Sequence, residues 1–164
     1  MRLIALRLSG FLFAFAFSLL PIKGHAQELS ELPTPLAQKV EQADKACADF
    51  EGGVLSLEHG AVHRIDLDGD LGKDWVLDEA GLVCSSAISL FCGSGGCLSH
   101  FLVDGHIASL LNQGWSMVTF GPHRTLLADV HGSQCDGINP TPCVTASVWD
   151  SDQSIWRSAN AQWE

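Results

Sequence analysis

Six cysteines dominate what this chain can fold into: Cys47, Cys84, Cys92, Cys97, Cys135 and Cys143. An even number in an exported chain reads as up to three disulfides, which staple a small domain. Six cysteines permit 15 pairings, and spacing alone does not choose among them. The local closures are the simplest to picture, Cys92 with Cys97 across "CGSGGC" and Cys135 with Cys143 across "CDGINPTPC". They leave Cys47 for Cys84, a link that would stabilise most because it closes the longest loop.

Export is read from the N-terminus. Arg2 and Arg7 precede the apolar run "GFLFAFAFSLLPI", and the chain turns polar at "KGHAQE". That order describes a secretory signal over residues 1–26, cut after Ala26, with an apolar run too short to span a bilayer comfortably. Cleavage removes Arg2, Arg7 and Lys23 from nine basic groups, leaving six against 19 acidic ones, a formal charge of −13. Such a balance excludes nucleic acid and anionic membranes as partners and leaves cations or a basic protein. A periplasmic or secreted location follows from the same reading.

Residues 27–35, "QELSELPTP", read as a flexible arm. Leu36, Val40, Ala43, Cys47 and Phe50 recur at helical spacing and form one face, ended by Gly52-Gly53. Short β-type runs follow. "AVHRID" and "DWVLDE" flank an acidic loop, and "CLSHFLVD" and "HIASLL" flank Asp104-Gly105. "SMVTF" and "TLLADVHG" flank "GPHR", and "CVTASVWD" and "SIWRS" flank "SDQ". Residues 36–164 are therefore expected to form a single α+β domain, an N-terminal helix packed on an antiparallel β meander and cross-linked by disulfides. Alternation assigns Val118 and Phe120, Leu126, Ala128 and Val130, and Val144, Ala146 and Val148 to the core. Trp149, Trp156 and Trp163 are expected to cover the sheet.

The segment "DLDGDLGKD" places four carboxylates in nine residues. Asp66, Asp68, Asp70 and Asp74 take positions 1, 3, 5 and 9 of a calcium-loop pattern, and Gly72 at position 7 offers a carbonyl. Leu71 stands where the pattern has glycine and Leu77 where it has a bidentate glutamate, and both flanks read as strand, so the segment is not an EF-hand. It resembles the strand–loop–strand calcium loop of FG-GAP repeats, through Asp66, Asp68, Gly69, Asp70 and Asp74. That resemblance covers about a dozen residues, occurs once and implies a calcium-binding hairpin, not a propeller. The loop together with "SLFCGSGGC" also resembles small exported bacterial proteins, a likeness that implies no mechanism.

No other motif converges on chemistry. "CGSGGC" lacks the C-x-x-C spacing of redox sites, and the mature histidines have no zinc spacing. Asp129, His131 and Ser133 lie on one strand end, where side chains are expected to run parallel and not to form a nucleophile–base chain. The expected function is a non-catalytic exported domain, structural or protein-binding, with a calcium-stabilised loop. The alternatives are a metal-assisted hydrolase, or a small inhibitor of a basic secreted enzyme such as lysozyme. A pocket holding Asp129, His131 and a third ionisable group would favour the hydrolase.

Overall fold

The computed structural model describes residues 31–162; the proposed signal segment and Trp163 lie outside them. The helix, α1, spans Thr34–Asp49. It begins two residues before the expected Leu36, because Pro35 falls in the first turn, where its missing N–H costs no helical bond. Leu36, Val40, Ala43 and Cys47 are buried on one face, whereas Phe50, the expected fifth member, lies past the helix end and is exposed.

Among the described residues eleven strands follow: β1 (Leu55–Leu57), β2 (Val62–Ile65), β3 (Asp74–Asp78), β4 (Leu82–Cys84), β5 (Cys92–Gly93), β6 (Gly96–Val103), β7 (His106–Asn112), β8 (Gly114–Phe120), β9 (His123–Asp129), β10 (Cys143–Asp150) and β11 (Ile155–Gln162). One sheet runs β2-β3-β6-β5, with β7 on the other side of β6, and a second runs β11-β10-β9-β8. Strands β1 and β4 pair separately, and every pairing is antiparallel. This is the α+β, disulfide-linked arrangement expected from the sequence.

The layers stack as helix, first sheet, second sheet. One face of the first sheet, with Leu77 and Leu102, packs beneath Leu36, Val40 and Ala43 of α1. Its other face, with Val76, Phe101 and Val103, meets Leu126, Trp115, Met117, Trp149 and Trp156 of the second sheet. Trp115 locks the two sheets together. Its ring meets those of His63 and Phe101 edge-on at 5.2 and 5.4 Å, and its indole N–H donates to Asp78 at 2.9 Å. A partly buried indole gains from such a partner.

All three local and long-range closures form as paired above: Cys47–Cys84, Cys92–Cys97 and Cys135–Cys143. The first ties the last turn of α1 to β4. Gly53 passes so close that an added Cβ would sit 2.6 Å from the Cys84 sulfur.

The core assignment is corrected on two strands. Val118 and Phe120 are 37% and 78% exposed; Trp115 and Met117 carry the inward face of β8. On β10 the inward face is Thr145, Ser147 and Trp149, and Ala146 and Val148 take the other. Leu126, Ala128, Val130 and Val144 are buried as expected. Ser147 tolerates burial because its hydroxyl pairs with that of Ser158 at 2.7 Å.

Candidate metal centre

The acidic loop joins β2 to β3, whose register sets Ile65 opposite Asp74. Leu67 is fully buried among Val76, Phe101, Val103 and Leu126. With Leu67 turned inward, its neighbours Asp66 and Asp68 turn outward together. Asp74, at the start of β3, closes on them, and carboxylate oxygens of Asp66, Asp68 and Asp74 lie within 4.8 Å of one another. Such a group can chelate a metal ion.

Backbone amides hold the carboxylates in place. Gly69 N–H donates to Asp66 at 2.6 Å, Asp70 N–H to Asp68 at 3.0 Å, and Leu67 N–H to Asp74 at 2.8 Å. Asp70 lies outside the converging trio; its side chain accepts the Gly72 N–H. Gly72, the expected carbonyl donor, is exposed within the loop.

Arg124 of β9 clamps the loop from the second sheet. It donates to the Asp66 carbonyl at 3.0 and 3.3 Å and to the Thr119 hydroxyl at 3.1 Å. Its stem passes under Gly69, where φ is +94° and an added Cβ would sit 3.2 Å from Arg124 Cγ. Arg64 stacks on Trp75 at 3.9 Å and bonds the Lys73 carbonyl. Among the described residues, no Lys or Arg forms an ion pair with the converging carboxylates.

The electrostatics record that lack of neutralisation. Desolvation raises the pKa of Asp68, and the charges of Asp70, Asp104 and Asp66 push the same way. Asp74 is raised likewise, first by desolvation and then by Asp68, Asp70 and Asp104, against the lowering effect of the Leu67 amide. Asp104 was not among the expected site residues. It sits in the β6–β7 turn, brought near because β3 pairs with β6 through Trp75 and Leu102. No spacing within the loop signals it.

Leu71 occupies the position of the pattern's second glycine and adopts φ +72°, the left-handed conformation that glycine takes without strain. The residue is 90% exposed. Leu71→Gly is therefore expected to stabilise the domain by about 0.5–1 kcal/mol, the left-handed strain relieved less the added unfolded-chain entropy. Urea unfolding reads the sign, and a loss of stability would contradict strain at this position.

The second constellation, Asp129, His131 and Ser133, differs from the expectation in one respect. β9 ends at Asp129, and a short 3-10 turn over Gly132–Cys135 brings Ser133 back onto His131, Oγ to Nδ1 at 2.8 Å. His131 also accepts the Ser133 N–H and so caps that turn. Asp129 lines a shallow cleft of about 380 Å³ with Gly114, Trp115 and Val144, without His131. A cleft of about 310 Å³ beside Gly93, Ser94 and Gly96 includes Asp78, whose oxygens are taken by Ala80 N–H and Trp115.

Among the described residues, no helix is long and apolar enough to cross a membrane. Comparison with family models, with curated proteins and with solved structures returns no match.

Proposed function

We propose that the protein is an exported domain whose acidic loop holds a structural calcium ion, fixing the β2–β3 hairpin against β9. One observation carries this reading: the oxygens of Asp66, Asp68 and Asp74 converge, and among the described residues no Lys or Arg forms an ion pair with them. An all-oxygen donor set suits a hard cation, and calcium takes six to eight such ligands. Asp70, the Gly72 carbonyl and water are the available further donors. The resemblance to an FG-GAP calcium loop supports the choice, and so does the left-handed Leu71 at the glycine position. The signal-like N-terminus and the three disulfides support a periplasmic or secreted setting. A basic protein is the macromolecular partner that complements a formal charge of −13.

Calcium titration with scanning calorimetry tests the reading. At one hundred times the dissociation constant, calcium should add about 2.7 kcal/mol, a rise of roughly 10 °C in Tm. Asp68→Asn with Asp74→Asn should abolish that rise. The pH dependence has a definite sign. Asp68 and Asp74 have native pKa values above the ordinary 3.8, so the native state binds protons more tightly than the unfolded chain. Without calcium, stability should rise as pH falls from neutral through those raised values toward 3.8. The calcium increment should shrink over the same window, because protons and calcium compete for the same oxygens. An unchanged Tm at millimolar calcium, with no ion retained in native mass spectrometry, would overturn the proposal.

A further inference from the structure

On the first sheet, away from the acidic loop, three side chains from three elements form a hydrogen-bonded chain. Ser109 of β7 meets His100 of β6, Oγ to Nδ1 at 2.6 Å, and His100 Nε2 meets Glu79 Oε1 at 2.9 Å. His100 is 1% exposed, Glu79 sits in the 3-10 turn Glu79–Gly81 that follows β3, and Ser109 is exposed. The order is nucleophile, base and orienting carboxylate, with the nucleophile exposed, the carboxylate partly so and the base buried.

The proton positions follow from the partners. In the neutral imidazole Nε2 carries the hydrogen toward Glu79, because a carboxylate only accepts. Nδ1 is then the bare nitrogen, and the Ser109 hydroxyl donates to it. A general base needs its partner's proton placed in that way.

The strand register explains the contact and what surrounds it. The β6–β7 hairpin turns at Asp104-Gly105, both at positive φ, with Val103 facing His106. Closing that turn bonds Val103 to His106, and antiparallel pairs alternate from there, so His100 and Ser109 form a non-hydrogen-bonded pair. Side chains in such pairs lie closest. The backbone N–H and C=O of Ser109 point away from β6, and β7 pairs with β6 alone among the described strands. The Ser109 amide is thus a donor beside its own hydroxyl, on an edge that no other described strand pairs with. Ile107 and Leu111, two residues to either side, share its face and are 39% and 45% exposed.

We propose that Ser109, His100 and Glu79 form an acyl-transfer site that hydrolyses neutral or cationic esters of short aliphatic acids. Ser109 Oγ bonds to the ester carbonyl carbon while its proton passes to His100 Nδ1, and the carbonyl π pair moves onto oxygen, facing the Ser109 N–H. The carbonyl re-forms as the bond to the alcohol oxygen breaks, and the alcohol departs with the proton from Nδ1. Water then adds to the acyl-Ser109 carbonyl and gives a proton to Nδ1. The acyl–Oγ bond breaks, Oγ recovers the proton, and the carboxylic acid leaves. Glu79 is a positioning residue that fixes the imidazole tautomer. Ile107 and Leu111 supply apolar contact for the acyl chain, and the acidic surface disfavours anionic esters.

The test is phosphonylation of the purified protein by a fluorophosphonate, read by intact and peptide mass spectrometry, together with turnover of 4-nitrophenyl acetate. Ser109 is expected to label at least about a hundredfold faster in the folded protein than in the denatured chain. Ser109→Ala should keep the melting temperature and lose both label and turnover. Glu79→Gln, which keeps a hydrogen-bonding group in place, should lower kcat about a hundredfold with KM unchanged. Labelling of folded Ser109 no faster than in the denatured chain would overturn the proposal. Turnover that survives Ser109→Ala would overturn it as well.

Discussion

Alanine at both Cys47 and Cys84 is expected to cost the domain about 4 kcal/mol, and more than either of the other cystine pairs. The two residues are 37 apart in sequence, whereas Cys92–Cys97 and Cys135–Cys143 close separations of five and eight. Loop-closure entropy assigns about 4 kcal/mol to the first and about 2–2.5 kcal/mol to each of the others. Geometry adds to the difference. Both Cys47 and Cys84 are fully buried, so alanine leaves small voids at the junction of α1 and β4. Four kcal/mol corresponds to a fall of roughly 15 °C in Tm. Non-reducing calorimetry of the three double-alanine proteins would check the ranking. A Cys47/Cys84 variant no less stable than the Cys92/Cys97 variant would show that the helix is held by its apolar face alone.

That helix was among the most legible parts of the sequence, because Leu36, Val40, Ala43 and Cys47 face one way only at helical spacing. The hairpins were legible for a different reason. Asp104-Gly105 demands positive φ at two successive residues, and the chain supplies it with φ of 49° and 81°. Facing was harder to read. Strands β8 and β10 carry apolar residues on both sides, so alternation gives two answers, and only the pairing of Ala128 with Trp115 and Thr145 selects one. Val118 and Phe120 are apolar and still face solvent, toward the β8–β9 turn.

Sites divide along the same line. Asp66, Asp68 and Asp74 could be found from sequence because one short loop carries all three. Asp104 could not, since its proximity depends on β3 lying beside β6. Glu79, His100 and Ser109 are separated by 21 and nine residues and meet through cross-strand register. Reading Asp129, His131 and Ser133 as parallel failed because the strand stops and the chain turns after Asp129.

Leu67→Ala is expected to couple the core to the acidic loop more strongly than any change among the exposed loop residues. Leu67 is completely buried beside Val76, Phe101, Val103 and Leu126, and its removal should cost about 3 kcal/mol. The same residue orients the site, because its backbone N–H holds Asp74 while its side chain fixes the outward direction of Asp66 and Asp68. If the loop holds calcium as proposed, without that anchor the ion itself must order the loop, and the ordering cost is drawn from binding free energy. A tenfold weaker calcium affinity would follow from about 1.4 kcal/mol of such cost, and the calcium-induced rise in Tm would shrink accordingly. Isothermal titration of calcium into wild type and Leu67→Ala, below the melting temperature of both, separates the two effects. Lost stability with unchanged calcium affinity would mean that the carboxylates are arranged by the Arg124 clamp and the loop's own amides, with the buried leucine serving the core alone.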